Sequence, residues 1–149
     1  MKNASPLHRK NTDFTNYDRK GGMNMMKFFK CNNNGLVIPV CHVYTDETSL
    51  QGAKEITPNS VDAAEEKHKP VVDMKGDTVT VNVGSVAHPM TEEHLITTVI
   101  LETQNGAQYK YLTKDAEPVV HFSLYSTDKP IAAYAYCNLH GLWKVDIES

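Results

Sequence analysis

The chain has 149 residues, of which 40% are hydrophobic and 22% charged, and its formal net charge is -3. That is enough for one core-forming domain with a smaller appendage and too little for two full domains; it also excludes collagen-like, coiled-coil and low-hydrophobicity disordered chains. No apolar run reaches the ~18 residues of a membrane-spanning helix.

Residues 1–22 hold five Lys or Arg side chains against two Asp, a charge of +3 that leaves -6 for the remainder. The acidic remainder offers no basic stripe to neutralise phosphates, which excludes general nucleic-acid binding. The head lacks the apolar stretch of a secretory signal and reads as a flexible extension, with Met23 a plausible alternative start. Residues 23–58 form the smaller N-terminal region. Within it Leu36–Val40 reads as a short strand, confined to a sheet edge because Pro39 cannot donate a ladder hydrogen bond. Thr45 to Ser60 is rich in Thr, Ser, Gly, Asn and Pro and reads as linker.

Residues 59–149 read as the main domain. Val61 to Lys67 suits a short helix, capped by Asn59 or Ser60 and stopped by Pro70. Thr78 to Val83 alternates, with Val79, Val81 and Val83 on one face. His94 to Thr103 is almost continuously apolar and β-branched, as in a strand covered on both sides. Asn105-Gly106 then predicts a type I′ hairpin turn, with Gln108 to Leu112 returning. Val119–Tyr125, Ile131–Tyr136 and Leu142–Ile147 complete the set. Seven short strands at this spacing predict an all-β, immunoglobulin-like sandwich with a small N-terminal β appendage.

The chain's chemistry concentrates in histidine and cysteine. Cys31, Cys41 and Cys137 are odd in number and widely spaced, which argues against a disulfide framework and for a reducing cytoplasm. Cys137-Asn138-Leu139-His140 is a Cys-x-x-His between two strands, a spacing that turns both side chains toward one ion. His88, His94 and His68 also fall at the ends of elements, where loop-borne sites belong. A single histidine or a single Cys-x-x-His is commonly structural, and spacing alone leaves a metal site and a coincidence both open. His121 alternates with Val120 and Phe122 and so faces away from the core. His42 and Cys41 are strand neighbours on opposite faces, and His8 lies in the polar head. Those three histidines are set aside. Four imidazoles with one thiolate exceed the four ligands of structural zinc, and no methionine follows His140 to complete a blue-copper set. Five ligands and one open position suit redox-active iron, with the thiolate pushing electron density toward a small bound substrate.

At these residues the sequence resembles superoxide reductase, the family of neelaredoxin and desulfoferrodoxin. The likeness rests on Val61-Asp62-Ala63-Ala64-Glu65-Glu66-Lys67-His68, on Val83-Gly84-Ser85-Val86-Ala87-His88-Pro89-Met90, and on Cys137-Asn138-Leu139-His140-Gly141-Leu142-Trp143, together with His94. The resemblance implies one mononuclear iron held by four equatorial histidines, His68, His88, His94 and His140, and an axial thiolate from Cys137. It implies reduction of superoxide to hydrogen peroxide by one electron from the ferrous ion and two protons. Lys67 would attract and orient superoxide, and Glu66 would take the sixth position of the oxidised iron. Lys69 departs from the apolar residue of the family pattern. The resemblance also implies an electron donor such as rubredoxin, and homodimers are common in the family.

Two-iron members carry a desulforedoxin-like module with four cysteines. Here Cys31 keeps the first position, Asn34 takes the second, and no adjacent pair follows. Residues 23–58 therefore resemble a degenerate module in a one-iron branch. Cys41 has no counterpart and suits a small buried side chain. The competing function is a non-enzymatic metalloprotein, an electron carrier or a structural-metal sandwich. A carrier has no need of an anion-attracting Lys67 beside an open coordination position.

Overall fold

The computed structural model describes residues 26–31, 37–41 and 52–148, with the backbone alone described over 37–41. The flexible extension expected over residues 1–22, and with it His8, lies outside the described residues, as does His42. The elements run β1 (Met26–Cys31), β2 (Val37–Cys41), β3 (Ala53–Ile56), α1 (Glu65–His68), β4 (Pro70–Lys75), β5 (Thr78–Val83), β6 (Ile96–Thr103), β7 (Gly106–Tyr111), β8 (Val119–Ser123), β9 (Pro130–Cys137) and β10 (Gly141–Asp146).

Every strand pairing is antiparallel. Three sheets result, ordered β2-β1-β3, β4-β5-β8 and β10-β9-β6-β7. The last two form the expected seven-stranded sandwich. Its core follows from alternation: Val79, Val81 and Val83 of β5 and Val120 and Phe122 of β8 meet Val99 and Leu101 of β6 and Ala133, Ala135 and Cys137 of β9. The opposite face of the four-stranded sheet is covered as well. There Ile100, Ala132, Tyr134 and Leu142 pack with Met26 and Phe28 of β1. Strand β6 is thus buried on both sides over most of its length because it lies between two layers, as its almost continuously apolar and β-branched sequence predicts.

Pro39 sits on β2, the outer strand of its sheet, opposite Phe28 of β1, the edge placement that a residue without an N–H tolerates. Four local expectations are corrected. Part of the expected linker is strand β3, which pairs with β1 from Phe28↔Ile56 to Cys31↔Ala53. Its exposed Lys54 and Glu55 give a loop-like composition, and the ladder to β1 overrides it. Helix α1 is a single turn starting at Glu65, with no side-chain cap. Asn59 is not its cap: its amide instead joins the backbone of Lys144 in β10, donating to the carbonyl at 3.1 Å and accepting from the N–H at 2.8 Å. Ser60 donates to Thr57 at 2.7 Å. The hairpin turn is not type I′, because Asn105 has no positive φ and Gly106 already pairs with Thr103. Finally, β6 begins at Ile96, so His94 lies in the preceding loop rather than on the strand.

The N-terminal sheet bears directly on stability. The Phe28 ring lies 4.9 Å from that of Tyr134 and is almost fully buried. Phe28→Ala should therefore lower the unfolding free energy by about 3–5 kcal/mol, read from urea titration. A loss below about 1 kcal/mol would show that this sheet unfolds apart from the sandwich.

Candidate metal centre

The sandwich ends where α1, the 84–95 connection and the β9–β10 turn meet. Cys137 is the last residue of β9 and points, like Ala133 and Ala135, into the inter-sheet core. His68 is the last residue of α1 and is buried. His88 and His94 lie on the connection between β5 and β6, and His140 on the turn after β9. The connection is clamped to α1. Glu66 O accepts from Val86 N at 2.9 Å, and Lys69 O from Gly84 N at 3.2 Å. Gly84 has φ +84°, and a Cβ there would stand 2.4 Å from Val86 O and 2.7 Å from the carbonyl oxygens of Glu66 and Lys67. Only glycine allows this approach.

The four rings follow one another in a closed circuit. Centroid separations are 4.7 Å for His68–His88, 4.6 Å for His88–His94, 4.9 Å for His94–His140 and 4.8 Å for His140–His68. Each neighbouring pair is edge-to-face, and His68 and His94 face each other across the circuit at 6.1 Å. Donor atoms of His68, His88, His94 and Cys137 all lie within 4.8 Å of one another. His140 falls outside that mutual set, but its Nδ1 is 3.0 Å from His68 Nε2, 3.2 Å from His94 Nε2 and 3.7 Å from Cys137 Sγ.

Protonation follows from the outer contacts. His68 Nδ1 donates to Ala64 O at 2.7 Å, and His88 Nδ1 to Pro89 O at 2.6 Å. Each ring therefore turns an unprotonated Nε2 inward. His88 Nε2 is buried with no hydrogen-bond partner, a costly arrangement unless an ion accepts its lone pair. Metal–nitrogen bonds of about 2.1 Å at right angles would set adjacent donors about 3.0 Å apart. The contacts of 3.0 and 3.2 Å match that spacing. The residues fit a bound metal ion.

Electrostatics favour the ligand forms of the imidazoles. Burial lowers the pKa of His88 to about 4, with the neighbouring histidines adding to the effect. Burial likewise lowers His68, and the charge of His140 adds to it. His94 is lowered by burial and then by His140, His68 and Lys67. The Cys137 thiol is pushed up by burial, against the backbone N–H groups of His140 and Leu139, so a metal must displace its proton.

The supporting contacts include residues to which sequence reasoning gave no role. Trp143 stacks on His68 at 5.0 Å and 22° while its indole N–H donates to His140 O at 3.0 Å. Its place three residues after His140 is the available sequence signal. Glu66 and Lys67 are exposed on α1, and the Lys67 charge reaches both His68 and His94. Lys69, in contrast, is paired with Glu65 at 2.7 Å and contributes little net field. His121 is exposed on β8 and contacts Thr80, far from these rings in the ladder, as its alternation predicts. Cys31 is half-buried and free, and the side chain of Cys41 lies outside the described residues.

An antiparallel β-sandwich with a histidine–cysteine cluster at its loop end defines a class of small metalloproteins. A sequence profile of the desulfoferrodoxin family matches residues 60–146, and the chain belongs to that family. It is 44% identical over 93 residues to a desulfoferrodoxin of Clostridium acetobutylicum, an alignment covering 62% of this chain and 72% of that one. A Syntrophotalea carbinolica desulfoferrodoxin is 38% identical, with coverages of 79% and 94%. The crystal structure of the superoxide reductase from Treponema pallidum superposes with a TM-score of 0.68 at 39% identity, over 83% of this chain and all of the other.

The lowered histidine pKa values fix a sign for the metal-free protein. Between about 4 and 6.5 the unfolded chain binds protons that folded His88 refuses. Stability should therefore be full above pH about 6.5 and fall as the pH drops toward about 4. Urea midpoints of chelator-treated protein across this range measure it. A flat profile would show that the imidazoles protonate freely in the folded state.

Proposed function

We propose that the chain is a superoxide reductase with one mononuclear iron, bound by His68, His88, His94 and His140 around the ion and by Cys137 along the axis. The observation that carries this reading is the closed circuit of four imidazoles beside the Cys137 sulfur. A bound ferrous ion supplies the one electron that converts superoxide, with two protons, to hydrogen peroxide. The chain's own residues do the rest. His68 and His88 are oriented by Ala64 O and Pro89 O, and Trp143 holds the His68 plane. Lys67 draws the anion inward, a local attraction needed because the remainder outside residues 1–22 is net acidic. Glu66 adjoins it and would be the carboxylate available to the ion in its oxidised state. The solvent-exposed rim at Glu66 and Lys67 gives protons access from water.

With only three cysteines in the chain, a four-cysteine second iron site cannot form. We assign residues 59–149 to the iron-binding sandwich and 23–58 to a degenerate desulforedoxin-like region. A cytoplasmic protein reduced by a donor such as rubredoxin, with a homodimer as one assembly, completes the reading. No helix among the described residues is long and apolar enough to cross a membrane.

Anaerobic metal analysis with pulse radiolysis of the reduced protein tests this reading. One iron per chain and a superoxide-dependent oxidation phase are expected. Copper or tetrahedral zinc without that phase would point to a non-enzymatic metalloprotein. Cys137→Ser should abolish the thiolate-to-iron charge-transfer band of the oxidised form, and a retained band would assign the sulfur elsewhere.

Lys67→Ala should slow the bimolecular reaction with superoxide by on the order of 10-fold and flatten its dependence on ionic strength. Glu66→Ala should instead change the spectrum of the ferric resting state and leave that first step nearly intact. Parent-like rates for Lys67→Ala at low salt would remove the steering role.

A further inference from the structure

Two loops must meet for His94 to stand beside His140, and one side chain joins them. Asn138 follows Cys137 at the end of β9. Its amide oxygen accepts from Leu95 N at 3.0 Å, and its amide nitrogen donates to Glu93 O at 2.9 Å. Its backbone N–H donates to Leu95 O at 3.2 Å. Three bonds from one residue thus bracket His94 on both sides. His94 makes none of them. Its own peptide groups turn back into its loop, its N–H donating to Thr91 Oγ1 at 3.1 Å and its carbonyl accepting from Thr91 N at 2.9 Å. The side chain between the two ligand positions therefore carries the registration of the His94 loop on the Cys137–His140 turn.

The chemistry is specific to asparagine. One acceptor and one donor on a short stem satisfy a peptide N–H and a peptide carbonyl at once. Aspartate keeps the acceptor and loses the donor, and alanine keeps neither. Asn138 is exposed, so its truncation opens no cavity in the core. We infer that Asn138 is a positioning residue that sets His94 Nε2 against His140 Nδ1 and Cys137 Sγ, and that it acts on metal binding through His94. The inference rests on the ligand set proposed above and deepens it.

The test uses Co2+ alone as probe, titrated into the metal-free full chain against a competing chelator, with the thiolate-to-cobalt absorption band recorded. Asn138→Ala should weaken Co2+ binding on the order of 10-fold and shift the band, as loss of an orienting contact does at other metal sites. Asn138→Asp should recover part of the loss, and it carries the test if Asn138→Ala fails to fold. His94→Ala should weaken binding further, and Asn138→Ala added to it should change nothing more, because the coupled residue is gone. Parent-like affinity and band position in both Asn138 variants, beside a weakened His94→Ala, would overturn the inference and leave the ligand set standing. An equal fold-loss from Asn138→Ala with and without His94 would overturn it too. Parent-like affinity in His94→Ala would instead remove His94 from the centre, and both readings with it.

Discussion

Inward-facing lone pairs are the constraint on which the site end of this protein depends. Carbonyl contacts at Ala64 and Pro89 hold the protons of His68 and His88 on the outer nitrogens, so the inner ones cannot satisfy each other. Burial adds to the cost by keeping the rings neutral. Such an arrangement is poor local chemistry for a protein alone and good chemistry for one that holds a cation. The surrounding structure makes the convergence repeatable: strand ends, a one-turn helix and a glycine pressed against three peptide carbonyls leave the loops few alternative placements.

Layering supplies the rigidity behind it. Strands β6 and β9 lie between the β4-β5-β8 sheet and the N-terminal sheet, so the strand that delivers Cys137 is packed on both faces. The N-terminal sheet contributes to this packing through Met26 and Phe28. Charge is arranged at a finer scale. Lys69 is paired with Glu65, while Lys67, two residues away, acts electrostatically on His68 and His94; at His68 Glu66 opposes it, and at His94 Lys67 is the helix charge that acts.

Much of this was legible in the sequence, for identifiable reasons. Strands β5, β6 and β8 to β10 bury one or both faces, and burial writes itself into residue type. The cluster was legible because His68 and Cys137 end elements, His88, His94 and His140 lie in the connections beside them, and all five match positions of one family's pattern; the structure brings their rings and sulfur together, and their roles as ligands rest on the proposal above. What was not legible depends on partners distant in sequence. Strand β3 exists because β1 offers it a ladder, although Lys54 and Glu55 are polar. Asn59 looks like a helix cap until β10 claims its amide. Asn105-Gly106 has the residues of one turn type and adopts another, because Gly106 is already paired. Asn138 and Gly84 owe their importance to backbone groups of other loops, which no side-chain pattern announces.

The stacking of Trp143 on His68 has a practical consequence. It is the only tryptophan in the chain, and its indole is in face-to-face contact with one ring of the circuit while bonded to the carbonyl of another member. All indole emission from this protein therefore originates within one ring's width of the centre. A fluorescence spectrum becomes a local gauge: an ion entering the proposed centre would act on this one indole, free of background from any other tryptophan, and the molecule carries its own optical label where one would otherwise have to be engineered.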